Sequence, residues 1–145
     1  MSPDTPDAWL LGVHAAATLF MVGLIWFVQV VHYPLFGQVG GAGFSAYHRL
    51  HSRNTAWVVG LPMCIELVTA VAVAWRWGGT WTLVALTLLA IIWISTWLLQ
   101  VPAHARLEQG FDAATHRRLV NTNWVRTAAW SGRGVIAIVM FAQGR

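Results

Sequence analysis

The sequence predicts an all-α fold: an integral membrane four-helix bundle running up-down-up-down, with short interfacial helices in the loops. Three observations carry this. Of the 145 residues, 57% are hydrophobic and only 10% are charged, against roughly 25% charged in a soluble domain, and the mean hydropathy is +0.59. Four apolar runs, each near the roughly 20 residues that cross a bilayer, cover about residues 8–32, 56–75, 81–101 and 120–141. Ten tryptophans suit aromatic anchoring at membrane–water interfaces. At this length the natural count is one domain, a single transmembrane unit over residues 1–145.

Met1 to Asp7 is polar and acidic and lacks the positive n-region of a signal peptide. It reads as an exposed tail, and the apolar run behind it as retained. Helix 1 carries no charge, with His14 near its start and Gln29 near its end. His32-Tyr33-Pro34 stops it, because proline disfavours helix at the residue before it. Gly37, Gly40, Gly41 and Gly43 then mark a flexible loop. Phe44 to Arg53 has near-helical apolar spacing and reads as a short amphipathic helix at the interface, with His48 and His51 on one face.

Helix 2 has a single charge, Glu66, about 15 Å along its axis. Pro62, four residues earlier, is a source of a kink. Cys64, the only cysteine, precludes an intrachain disulfide and reads as a small core residue. Arg76 to Thr80 forms a tight turn. Helix 3 is uncharged, has a polar end in Ser95, Thr96 and Gln100, and exits at Pro102. Ala103 to Leu119 is a polar connection in which Phe111 to Arg118 reads as a second short surface helix. Helix 4 holds Arg126 and Arg133.

The two long connections carry Arg49, Arg53, Arg106, Arg117 and Arg118. By the positive-inside rule they lie in the cytoplasm and the termini outside, in a bacterial inner (cell) membrane. The net charge of +4 comes from nine arginines scattered through apolar sequence. They form no basic stripe, so nucleic acid is excluded as a partner. The partners expected are the lipid bilayer, a hydrophobic small molecule, and a second copy or a larger membrane complex.

Polar groups concentrate at the cytoplasmic end: Gln29 and His32, then His48 and His51, then Gln100 and His104, then Asn121, Asn123 and Arg126. Glu66 lies deeper, between the depths of Arg126 and Arg133. A carboxylate at that depth costs on the order of 3 kcal/mol or more and needs a partner. Arg126 and Arg133 both qualify, and the pair serves either as a lock between helices or as a site acid. Asn123, Arg126, Trp130 and Arg133 share one helical face. His32, His48, His51 and His104 converge from three segments as candidate metal ligands, since imidazole suits iron, copper and zinc. His32 and His104 are the candidate haem ligands. No Cys-x-x-Cys-His attachment motif is present. Read singly, each histidine is an interface residue with a hydrogen bond. His14 reads as structural and His116 as a solvated loop residue.

Tyr33-Pro34 after helix 1, Val101-Pro102 at the exit of helix 3, and Asn123, Arg126 and Thr127 opening helix 4 resemble the anthrone-oxygenase-like family of small four-helix membrane proteins. The layout matches over most of the chain, the residues only at these short motifs. The resemblance implies a cofactor-poor oxygenase acting on a hydrophobic polyphenol, and His48, His51 and His104 depart from it. The expected function is an oxidoreductase, oxygenase-like, acting on a hydrophobic aromatic compound. Asn123 and Arg126 would bind its oxygens, with Glu66 or His104 as proton acceptor. The alternatives are a non-enzymatic haem- or metal-binding membrane protein and a structural subunit of a membrane complex.

Overall fold

The computed structural model describes residues 5–144, which form four long helices and no strand. They are α1 (Pro6–Gln38), α2 (Gly41–Trp77), α3 (Gly79–Leu107) and α4 (Ala113–Gln143). The first three are long and apolar enough to cross a membrane. The fourth has the length, 31 residues, but Arg117, Arg118, Arg126 and Arg133 lower its hydropathy. In space α1 lies against α2 and α4, and α3 lies against the same two.

Local chemistry sets the ends. The Thr5 hydroxyl caps α1 by accepting from the Ala8 N–H at 3.2 Å, with Pro6 in the first turn, where its missing N–H costs nothing. Asp112 caps α4, accepting from the Thr115 N–H at 2.6 Å. Hydrogen bonding from Thr115 holds the Asp112 carboxyl below its ordinary range. Between α2 and α3 the chain reverses through Gly78 and Gly79, at φ +62° and +88°, values that other residues rarely adopt.

The helices are longer than the sequence suggests, and the short interfacial helices do not exist as separate elements. Phe44 to Arg53 is the opening of α2, one continuous helix of 37 residues. That is about 55 Å at 1.5 Å per residue, well beyond an apolar core of about 30 Å. Of the four glycines only Gly40 lies in the connection, and no proline falls between Phe44 and Leu61. Pro62 sits inside it. Phe111 to Arg118 likewise resolves into the Asp112 cap and the opening of α4.

Neither Pro34 nor Pro102 ends its helix. Each is preceded by a π-helical turn, Val28–His32 in α1 and Thr96–Gln100 in α3. Proline cannot donate to the carbonyl four residues back and its ring crowds it. A wider turn lets the Tyr33 N–H reach Val28 O and the Val101 N–H reach Thr96 O. Each proline then occupies the first turn of the next helical piece.

The interior is filled in three tiers: Tyr33, Phe36, Phe44 and Leu107 at one end, Met21, Ile92 and Trp130 centrally, and Leu11, Val73 and Met140 at the other end. The outside is equally apolar, with Trp57 80% and Trp75 93% exposed beside Leu61, Val68, Leu83 and Leu98. Such a surface matches lipid rather than water. Cys64 lies on this exposed side, not in the core.

Candidate functional site

The two π turns open onto the same place. An extra residue per turn swings the following side chains inward, and such bulges recur at functional sites. The first ends on His32 and is followed by Tyr33, and the second is followed by His104. Tyr33, 4% exposed, contacts His104 Nε2 through its hydroxyl at 2.9 Å. His104 Nδ1 lies 3.1 Å from His48 Nε2, their rings stacked at 5.1 Å. The Arg126 guanidinium faces the Tyr33 hydroxyl and also donates to Asn123 Oδ1 at 3.2 Å.

The cation gives this chain a polarity. With that cation beside it the Tyr33 O–H is oriented to donate to His104 Nε2. His104 Nδ1–H then donates to His48 Nε2, which places the remaining His48 proton on Nδ1. That atom is buried and has no partner, as is Arg126 Nε. Two buried donors on one chain therefore stand ready for an acceptor oxygen.

A second histidine pair flanks the first. His32 Nε2 lies 2.7 Å from His51 Nδ1, which also lies 3.1 Å from the Thr55 hydroxyl. The His51 ring packs against both His48 and His104, at 5.7 Å in each case. Thus the four predicted histidines and Arg126 come together. Among the described residues, however, no three metal-ligating side chains are arranged to hold one ion. The facing nitrogens come in two pairs instead, His32 with His51 and His48 with His104. His51 packs against His32 at 4.5 Å as well as against His104. A haem held between His32 and His104 would have to displace it.

Asn123 is a positioning group. Its Nδ2 donates to Gln29 Oε1 at 2.9 Å while its Oδ1 holds Arg126. Gln29 in turn donates to the Val120 carbonyl at 3.2 Å. The Asn123 amide is thereby held between Gln29 and Arg126, with one Nδ2 hydrogen committed to Gln29.

Glu66 is not part of this cluster. It pairs with Arg133, accepts from the Thr18 hydroxyl at 3.2 Å, and is fully buried. Fifteen residues separate it from His51 on the same helix, about 22 Å, so it cannot share a substrate with the histidines. Arg133 also donates to the Ala85 carbonyl. His14 belongs to this deeper centre through Thr69, at 3.0 Å. His116 lies in α4 and bonds the Tyr33 carbonyl at 2.7 Å, so it is not a solvated loop residue.

No family model matches the chain, and no curated protein or solved structure is significantly similar to it.

Sequence reasoning passed over Tyr33 as a site residue and used Gln29 and Gln100 only as polar helix ends. The signal for Tyr33 was its place directly before a proline that the helix has to accommodate. Gln100 is buried and meets Ser95 and Thr122 at 3.3 and 3.5 Å.

Proposed function

We propose that the protein is an integral membrane oxidoreductase of the oxygenase type, acting on a hydrophobic aromatic compound that bears a hydroxyl group. The observation that carries the reading is the directed chain Arg126–Tyr33–His104–His48 beside the His32–His51 pair. An imidazole pair sharing one proton is a ready acceptor for a substrate proton. The cationic chain beside the pair supplies positive charge that favours the anion left behind. For a ring methylene activated by that anion, dioxygen is the oxidant. The methylene becomes a carbonyl, one oxygen atom is retained, and the other leaves as water with the two hydrogens. The likeness of Tyr33-Pro34, Val101-Pro102 and Asn123-x-x-Arg126-Thr127 to anthrone-oxygenase-like proteins supports the same substrate class.

In this reading all four helices cross the bilayer in alternating directions. Two sets of contacts support that course. Asp7 and Arg76 form a two-point ion pair at 2.9 and 3.1 Å, joining the start of α1 to the end of α2. The end of α1 meets the start of α2 through His32 and His51, the end of α3 through Tyr33 and His104, and the start of α4 through Gln29 and Asn123. The arginine-rich end, with the histidines, faces the cytoplasm.

The test is oxygen uptake and quinone absorbance in vesicles holding the protein and a hydroxylated anthrone. Turnover is expected in the wild type and a fall of about 10²–10³ in His104→Ala. Wild-type vesicles no faster than protein-free ones would sink the reading.

The meeting of four imidazoles from three helices favours a second reading, binding of a transition metal ion. Rotation of one pair onto the other would complete a ligand set. Stoichiometric copper or zinc in the purified protein, lost in His48→Ala and in His51→Ala, would favour it over the first.

A further inference from the structure

We infer that the cleft between α1 and α2 is a lipid-side binding site for a planar apolar molecule with a single terminal hydroxyl, reached laterally from the bilayer. The inference rests on the proposed function and names the place where its substrate sits. The cleft has a volume of about 370 Å³, within the range of sites for small organic ligands. Its walls are Leu24 and Phe27 from α1 and Val58 from α2, and its polar end is His32, His51 and Asn54. Phe27 and Val58 are 53% and 51% exposed on two helices apolar enough to span a membrane. The opening therefore faces hydrocarbon rather than water.

Three features select the occupant. Phe27 stacks on His32 with the planes 22° apart at 6.0 Å, a flat shelf that suits a fused ring. His32 Nε2 faces His51 Nδ1 at 2.7 Å; in the tautomer that puts the shared proton on His32 Nε2, His32 Nδ1 is an acceptor for a hydroxyl proton. A saturated acyl chain entering the cleft would cover these nitrogens without bonding them, which disfavours it. A charged or heavily hydroxylated molecule would have to leave water for lipid first.

The experiment is equilibrium dialysis of 2-naphthol against the protein in nanodiscs, with empty nanodiscs subtracted and naphthalene as the comparison. Val58→Trp and Leu50→Trp fill the cleft from the α2 side. Val139→Trp, in a separate cavity at the other end of the helices, is the control. Saturable naphthol binding weakened about tenfold or more by both filling substitutions, kept in the control, and stronger than naphthalene binding in the wild type but not in His32→Phe, is the expected result. No saturable excess over empty nanodiscs, or an excess that both filling substitutions leave unchanged, overturns the site. Binding is read here without oxygen or turnover. A protein that binds naphthol and oxidises nothing overturns the proposed function and leaves the site standing. One that oxidises its substrate at full rate with both filling substitutions overturns the site and leaves the function standing.

Discussion

Glu66→Gln removes one charge from a pair in which the carboxylate is fully buried and Arg133 is 1% exposed. The change keeps the side chain's size and leaves the Thr18 contact possible. Arg133 keeps its bond to the Ala85 carbonyl but becomes a buried cation without a counter-charge. Breaking a buried pair from one side costs about 3–5 kcal/mol. Glu66 Oε2 has no partner of its own, so the pair is incompletely satisfied and the loss belongs near the lower end, about 3 kcal/mol. Against a total stability of about 5–15 kcal/mol that is a large fraction. The assay is unfolding by SDS in mixed micelles, followed by circular dichroism. Glu66→Gln and Arg133→Met are each expected to lower the unfolding free energy by that amount. The double substitution, with neither charge left, is expected to recover at least about 2 kcal/mol. A single-substitution cost below about 1 kcal/mol, the level of an exposed pair, would refute the reasoning. So would a double variant less stable than either single one.

Tyr33→Phe removes the link between Arg126 and His104 and fills the same space. Turnover of the hydroxylated anthrone is expected to fall by about 10² or more with KM nearly unchanged, because the binding cleft is untouched. Pro102→Ala removes the cause of the second π turn. Rewinding by one residue rotates His104 by about 100° away from Tyr33, so turnover collapses while the far-ultraviolet circular dichroism stays helical. Gly134→Leu drives a side chain against Val22, whose Cγ2 lies 2.9 Å from the position of a Cβ there. It is expected to cost about 1–3 kcal/mol in the same SDS titration. Gly23→Leu, with nothing within 4 Å, is expected to cost little.

Period and depth were legible in the chain. Four apolar runs mark the helices, and the spacing of Asn123, Arg126, Trp130 and Arg133 identifies the inner face of α4, where all four are buried. The demand of Glu66 for an arginine was also legible, but the choice was not. Arg126 and Arg133 are seven residues apart, two turns along one face, and the selection depends on how far each helix slides against its neighbour. The breaks were misread for a related reason. Proline rules are local, whereas a helix opened inside lipid leaves backbone groups with no water to satisfy them. A π turn keeps them bonded and carries the helix onward. Its side effect, the turning of Tyr33 and His104 inward, has no sequence period to reveal it.

The positions of the two polar centres explain why one chain can carry both. The deeper one takes Thr18 from α1, Glu66 from α2, the Ala85 carbonyl from α3 and Arg133 from α4. The one near the helix ends takes Tyr33, His48, His104 and Arg126 from the same four helices in the same order. Every helix is thus held to the others at two levels, and the α4 arginines that define them are about 10 Å apart along the axis. The deeper knot is an ion pair closed by hydrogen bonds, with Trp130 packed against Arg133 at 6.0 Å, and no cleft reaches it among those described. The other is a chain of imidazoles and a phenol joined by hydrogen bonds, set beside the cleft between α1 and α2. With the helix register fixed in the first, a substitution in the second is expected to leave the fold intact. Chemistry is therefore expected at the histidine end and rigidity at Glu66, although sequence reasoning alone assigned both to a single site.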